Sequence, residues 1–147
     1  MSAAQPPEPG RCGGAFRAER RARLTLAGSF PERVRATERA TFEGTVTIAN
    51  HTDRRVEGLS ASRPDLYLTR AGDIVATPLP RDEVGLVLDL APGEARNFPA
   101  AGSLRSCSRG QPLAPGRYDV YAVLTIADTD GAQTISAVGG PWRVEIV

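Results

Sequence analysis

Apolar and polar residues alternate with a period of two along most of the chain, as half-buried strands require. Phe16, Ala18, Ala22, Leu24 and Leu26 fall on one face, opposite Arg17, Glu19, Arg21, Arg23 and Thr25, which predicts a strand through Leu26. Arg20 interrupts the apolar set, and a helix over Arg17–Arg23 is the competing reading, because Ala, Arg and Glu favour helix. Between Thr41 and Asn50, Phe42, Val46 and Ile48 oppose Thr41, Glu43, Thr45 and Thr47, and β-branched residues fill the run. Asp65–Thr69 and Asp73–Thr77 flank Ala71-Gly72, a hairpin-like turn in which Gly72 supplies positive φ. Val84, Leu86, Leu88 and Leu90 alternate again, and Pro92-Gly93 turns the chain into a strand near Glu94–Ala100. The strongest strand runs over Arg117–Ala127. Tyr118, Val120, Ala122, Leu124 and Ile126 share one face, while Tyr121 and Val123 make the other partly apolar, which marks a central strand. Thr134–Val138 and Trp142–Val147 close the pattern, separated by a bulge or bend at Gly139-Gly140-Pro141. Trp142 alternates with Val144 and Ile146 and is expected in the core.

Seven or more short strands punctuated by Gly/Pro turns, with no helix, predict an all-β fold: an antiparallel immunoglobulin-like β-sandwich of about seven to nine strands, with a small closed barrel as the alternative. Residues 1–14, rich in Pro and Gly, read as a flexible tail and residues 15–147 as the domain. No apolar run reaches membrane-spanning length, and the first residues lack the apolar core of a signal peptide.

Two phrases nearly repeat: Leu90-Ala91-Pro92-Gly93-Glu94 and Leu113-Ala114-Pro115-Gly116-Arg117. In each, Leu can anchor in the core, Pro presets φ and Gly permits a tight turn into a strand. Tyr118 follows the second phrase, the setting of a tyrosine corner whose hydroxyl bonds backbone near Leu113–Pro115. With Val46-Thr47-Ile48-Ala49-Asn50-His51-Thr52, and with Asp65-Leu66-Tyr67-Leu68 through Gly72-Asp73-Ile74-Val75, these phrases make residues 40–127 resemble the bacterial intracellular proteinase inhibitor family. The resemblance implies an immunoglobulin-like sandwich of seven to eight strands. It assigns no inhibitory residue here, and Ala76 and Thr77 stand where the family usually has an aromatic.

Composition narrows the function. The 147 residues suit one domain, with 18 basic residues, all Arg, against 17 acidic ones. Arg11–Arg39 holds eight arginines and three glutamates, yet these alternate with apolar residues instead of clustering, so no nucleic-acid partner is expected. Cys12 and Cys107 are the only cysteines; an even count, flexible flanks and no metal-ligand spacing predict one disulfide and an exported or secreted protein, with the cytoplasm as the alternative if Met1 is the native start. Closing a 95-residue loop would contribute about 4–5 kcal/mol in the chain-entropy account.

No metal and no cofactor are expected. The lone His51 lies in the polar turn Asn50–Asp53, and no nucleophile elbow is present, so an enzyme is not expected. Asp128-Thr129-Asp130-Gly131 is similar to the opening of a calcium loop but lacks its distal Glu, and reads as a hairpin turn. The long loops are 50–64, 78–84 and 101–112. The last holds Cys107 between Arg105 and Arg109, the residue type enriched at binding hot spots. The expected role is a non-enzymatic module for protein binding or structural support, its protein partner unknown and contacted through Arg105 and Arg109. The alternative is a proteinase inhibitor presenting the 101–112 loop.

Overall fold

The computed structural model describes residues 9–18, 24–80, 85–128 and 134–147. Val84, the Asp128–Gly131 turn beyond its first residue, and the arginines at 20, 21 and 23 lie outside them. Ten strands are described: β1 (Leu24–Ser29), β2 (Arg33–Val34), β3 (Thr41–Asn50), β4 (Val56–Ser60), β5 (Asp65–Arg70), β6 (Asp73–Ala76), β7 (Leu86–Leu90), β8 (Ala95–Ser103), β9 (Gly116–Asp128) and β10 (Thr134–Ile146). They form an all-β sandwich. The smaller sheet has the order β1-β3-β8; the larger has β2-β10-β9-β4-β7, with β5 between β9 and β6. Every pairing is antiparallel except that of β2 alongside β10.

The long strand β9 is the spine of the larger sheet. One side pairs with β10; the other pairs with β5 from Asp119 to Val123 and with β4 from Ile126 to Asp128. The Ala61 N–H donates to the Thr125 carbonyl between the two, so β4 and β5 share one lane and β7 and β6 an outer lane. The sheets enclose Leu24 and Leu26 of β1, Phe42, Val46 and Ile48 of β3, Phe98 of β8, and Tyr118, Val120, Leu124 and Ile126 of β9. Burying each such Leu, Ile or Phe side chain contributes about 1.5–3 kcal/mol.

The alternation reads correctly where buried positions carry large side chains. It fails over Val56–Ser60, read as part of a loop. The inward positions of β4 are Gly58 and Ser60, while Leu59 faces out. A Cβ at Gly58 would collide with the Ala127 carbonyl, so the lane admits only a glycine there. The two-residue β2 was likewise not anticipated. The late strand is continuous, with its register shifted between Gly139 and Trp142 as the Gly-Gly-Pro sequence predicts, and half-buried Trp142 packs on the main core. At the β5–β6 hairpin both Ala71 and Gly72 have positive φ, 52° and 87°.

The Phe16–Leu26 run does not share one face. Leu24 and Leu26 lie in the main core, whereas Phe16 and Ala18 belong to a second cluster with Tyr67, Ile74, Tyr121, Val123 and Val138. Those strand residues alternate with core residues, so this cluster lies on the outer face of the larger sheet. Phe16 stacks on Tyr121, ring centroids 4.2 Å apart, and lies 5.3 Å from Tyr67. The described end of the segment read as a tail is docked too. Gly13 N–H donates to Ile74 O and Ile74 N–H to Gly14 O, both at 2.8 Å, and Arg17 N–H reaches Pro9 O. Residues 9–18 thus form a strap across β6, β5 and β9.

At the outer edge, the Arg96 guanidinium crosses from the smaller sheet to donate to the Val87 carbonyl of β7 at 3.0 Å.

Candidate functional site

The loop between β8 and β9 is built on two buried leucines. Phe98, Ala100, Gly102 and Leu104 are buried in alternation, so β8 runs to Ser103 and the loop starts three residues later than the sequence reading placed it. Leu104 donates its N–H to Ala40 O, and Leu113 N–H returns to Leu104 O at 2.9 Å, closing the base. Arg105 and Pro112 form a β-bridge, and Ser106 N–H donates to Gln111 O. The tip is wound: Gly110 N–H donates to Ser106 O at 2.7 Å, and Arg109 N–H to Ser106 Oγ. Gly110 takes φ 68°, which a glycine adopts freely.

The loop is also tied sideways to β6. Cys107 N–H donates to Val75 O at 2.9 Å, and Cys107 is disulfide-bonded to Cys12 of the strap, Cα atoms 5.8 Å apart. Its C-terminal end is held by Tyr118, which is buried and donates its hydroxyl to Ala114 O at 2.6 Å. Arg70 then donates to the Tyr118 hydroxyl at 3.1 Å, with its guanidinium 5.2 Å from the ring centroid.

Arg105 and Arg109 are both exposed on this pinned loop, and neither guanidinium has a hydrogen-bond or ion-pair partner among the described residues. No acidic residue occurs between Glu94 and Asp119 in sequence, although the exposed Asp73 of β6 lies beside the residues that anchor the loop. At the same end of the sandwich, an open groove of about 520 Å³ runs past Pro31, Val34, Phe42 and Val147. Arg33, Arg35 and Arg39 also line it, with Glu38 and Glu43, so its charges are nearly balanced. The contribution of Val75 and Leu104 to the loop was not anticipated. The β8 alternation signals Leu104, whereas Val75 acts through its backbone, which no side-chain pattern reports.

His51 lies in an exposed turn and meets Thr25 Oγ1 at 2.8 Å. Beside it Asn50 is fully buried and fully used: its amide donates to Arg54 O and Leu90 O, and its oxygen accepts from the Thr52 N–H and hydroxyl. That turn is structural. Just after this turn, the Arg55 guanidinium donates to Asp89 of β7 at 2.7 Å, and this hydrogen bond raises its pKa above the ordinary arginine value. Among the described residues no cluster of three His, Cys, Asp or Glu side chains is placed to hold a metal ion, and no helix is long and apolar enough to cross a membrane.

No protein-family model and no curated protein matches the chain. Among solved structures, the Northeast Structural Genomics Consortium target SoR45 is similar at 17% identity and TM-score 0.48, with 83% of this chain and 84% of that one covered. A Listeria innocua β-glucosidase in complex with isofagomine is similar at 16% identity and TM-score 0.43; 84% of this chain spans 16% of that enzyme. A FixG-related protein from Vibrio parahaemolyticus is similar at 13% identity and TM-score 0.35, covering 84% and 94%.

Proposed function

We propose that this chain is a non-enzymatic β-sandwich module of an exported protein, and that it binds a protein partner through Arg105 and Arg109. The observation that carries the reading is the pinned loop: buried leucines at its base, a backbone bond to Val75 and a disulfide at its tip hold two exposed arginines that have no partner among the described residues. A tethered loop loses little conformational entropy on docking, and Arg is enriched where binding energy concentrates. A disulfide between the only two cysteines suits an oxidising compartment.

The second reading is a proteinase inhibitor, in line with the family that residues 40–127 resemble. Anchors on both sides of the tip favour it. The wound turn over Ser106–Gly110 favours the binding module instead, because it offers side chains and not an extended backbone.

The test is capture from envelope and cytosolic fractions of the source organism, with the wild-type chain and an Arg105→Ala/Arg109→Ala double variant compared. A partner held by the wild type and lost by the variant is expected, with the unfolding midpoint unchanged, since exposed substitutions cost under about 0.5 kcal/mol. A partner retained equally by both would remove this loop as the site. Micromolar inhibition of a serine proteinase panel would move the reading to the inhibitor.

A further inference from the structure

We propose that Cys12–Cys107 is a reducible clasp, and that dithiol attack at Cys12 Sγ frees the strap and uncovers the aromatic outer face of the larger sheet. Three observations meet here. First, Cys12 is exposed and Cys107 half-buried, which makes Cys12 the more accessible end of the bond to an attacking thiolate.

Second, the disulfide joins two segments that grip adjacent residues of one short strand. The strap holds Ile74 of β6 by both its N–H and its carbonyl, and Cys107 holds the Val75 carbonyl. Without the covalent link the contact between strap and loop rests on these backbone bonds, each contributing about 0.5–1.5 kcal/mol net, and the strap keeps only its packing through Phe16 and Ala18. Third, the strap is the cover of a second apolar cluster. Phe16 stacks on Tyr121 and packs near Tyr67, and the strap crosses Ile74. The main core contains no strap residue, so the sandwich stands when the strap leaves.

The reaction balances as a thiol–disulfide exchange. The dithiol's thiolate forms a bond to Cys12 Sγ as the Cys12–Cys107 bond breaks, and Cys107 leaves as thiolate and takes a proton. The second thiol then displaces Cys12, which leaves as thiolate and is protonated. The protein gains two electrons and two protons, and the dithiol becomes a cyclic disulfide.

Amide hydrogen exchange on the full chain, with and without dithiothreitol, tests this. Reduction is expected to lower protection of the Gly13, Ile74 and Cys107 amides at least tenfold, to leave Val120 and Leu124 of β9 unchanged, and to reverse on reoxidation. A Cys12→Ser variant should show the reduced pattern without reductant. Phe16→Ala with the disulfide intact should keep the Gly13 and Cys107 amides protected. Unchanged protection on reduction would overturn the proposal, since the strap would then hold by itself. Loss at β9 as well would also overturn it, since the disulfide would then hold the whole fold.

Discussion

The outer face of the larger sheet is finished in two different ways. Across β5, β9 and β10, Tyr67, Val123 and Val138 lie under the strap and are each at most 8% exposed. Across β4 and β7, Leu59 and Val87 face each other in register and remain 53% and 71% exposed. The sheet and the solvent side are the same; the difference is ten residues of chain laid over one stretch. A sheet face can therefore become a second core without a third layer, provided a segment is tied down at both a backbone edge and a covalent point. The row from Thr134 through Ala127 and Leu59 to Val87 crosses four strands in register without a charged side chain.

The largest break in this comparison is expected from Ile74→Ala. Ile74 is fully buried beneath the strap, and its truncation should cost about 2–5 kcal/mol in urea unfolding. A loss under about 1 kcal/mol would mean that the covered stretch is not packed as a core. Tyr118→Phe removes the hydroxyl that bonds Ala114 O on the inner side, and should cost about 0.5–1.5 kcal/mol by the same measurement. An unchanged midpoint would show that the corner does not hold the loop's end. Ala71→Asn relieves the positive φ of Ala71 at the turn leading into β6, and should raise stability by about 0.5–1 kcal/mol. Val87→Thr on the bare stretch should change stability by under about 0.5 kcal/mol, since its side chain is mostly in water already. A cost of about 2 kcal/mol there would show that the bare stretch is packed against something in solution.

The sequence pattern reached the sandwich through its long strands. In β3 Phe42, Val46 and Ile48, and in β9 Tyr118, Val120, Leu124 and Ile126, recur on one face, so alternation alone locates both strands. It missed β4 because the inward positions there are a glycine and a serine. It joined Phe16 to Leu26 because a period-two count carries no information on which of two apolar clusters a residue enters. The disulfide was legible from the parity of cysteines, and the tyrosine corner from the Leu-Ala-Pro-Gly phrase. What could not be read is the role of β6. Its Ile74 and Val75 receive both the strap and the loop through backbone groups, which every residue type carries alike.

The guanidinium of Arg96 over the edge strand has a consequence for polymerisation. Next to the exposed Leu59 and Val87, an uncapped β7 would offer both apolar side chains and a free row of backbone acceptors, the combination that templates endless sheet growth. With the Val87 carbonyl already bound to Arg96, another strand would have to displace a charged donor before it could extend the ladder. The edge of the sheet is thus blocked at Val87 by a donor from the opposite layer, next to the bare stretch of its outer face.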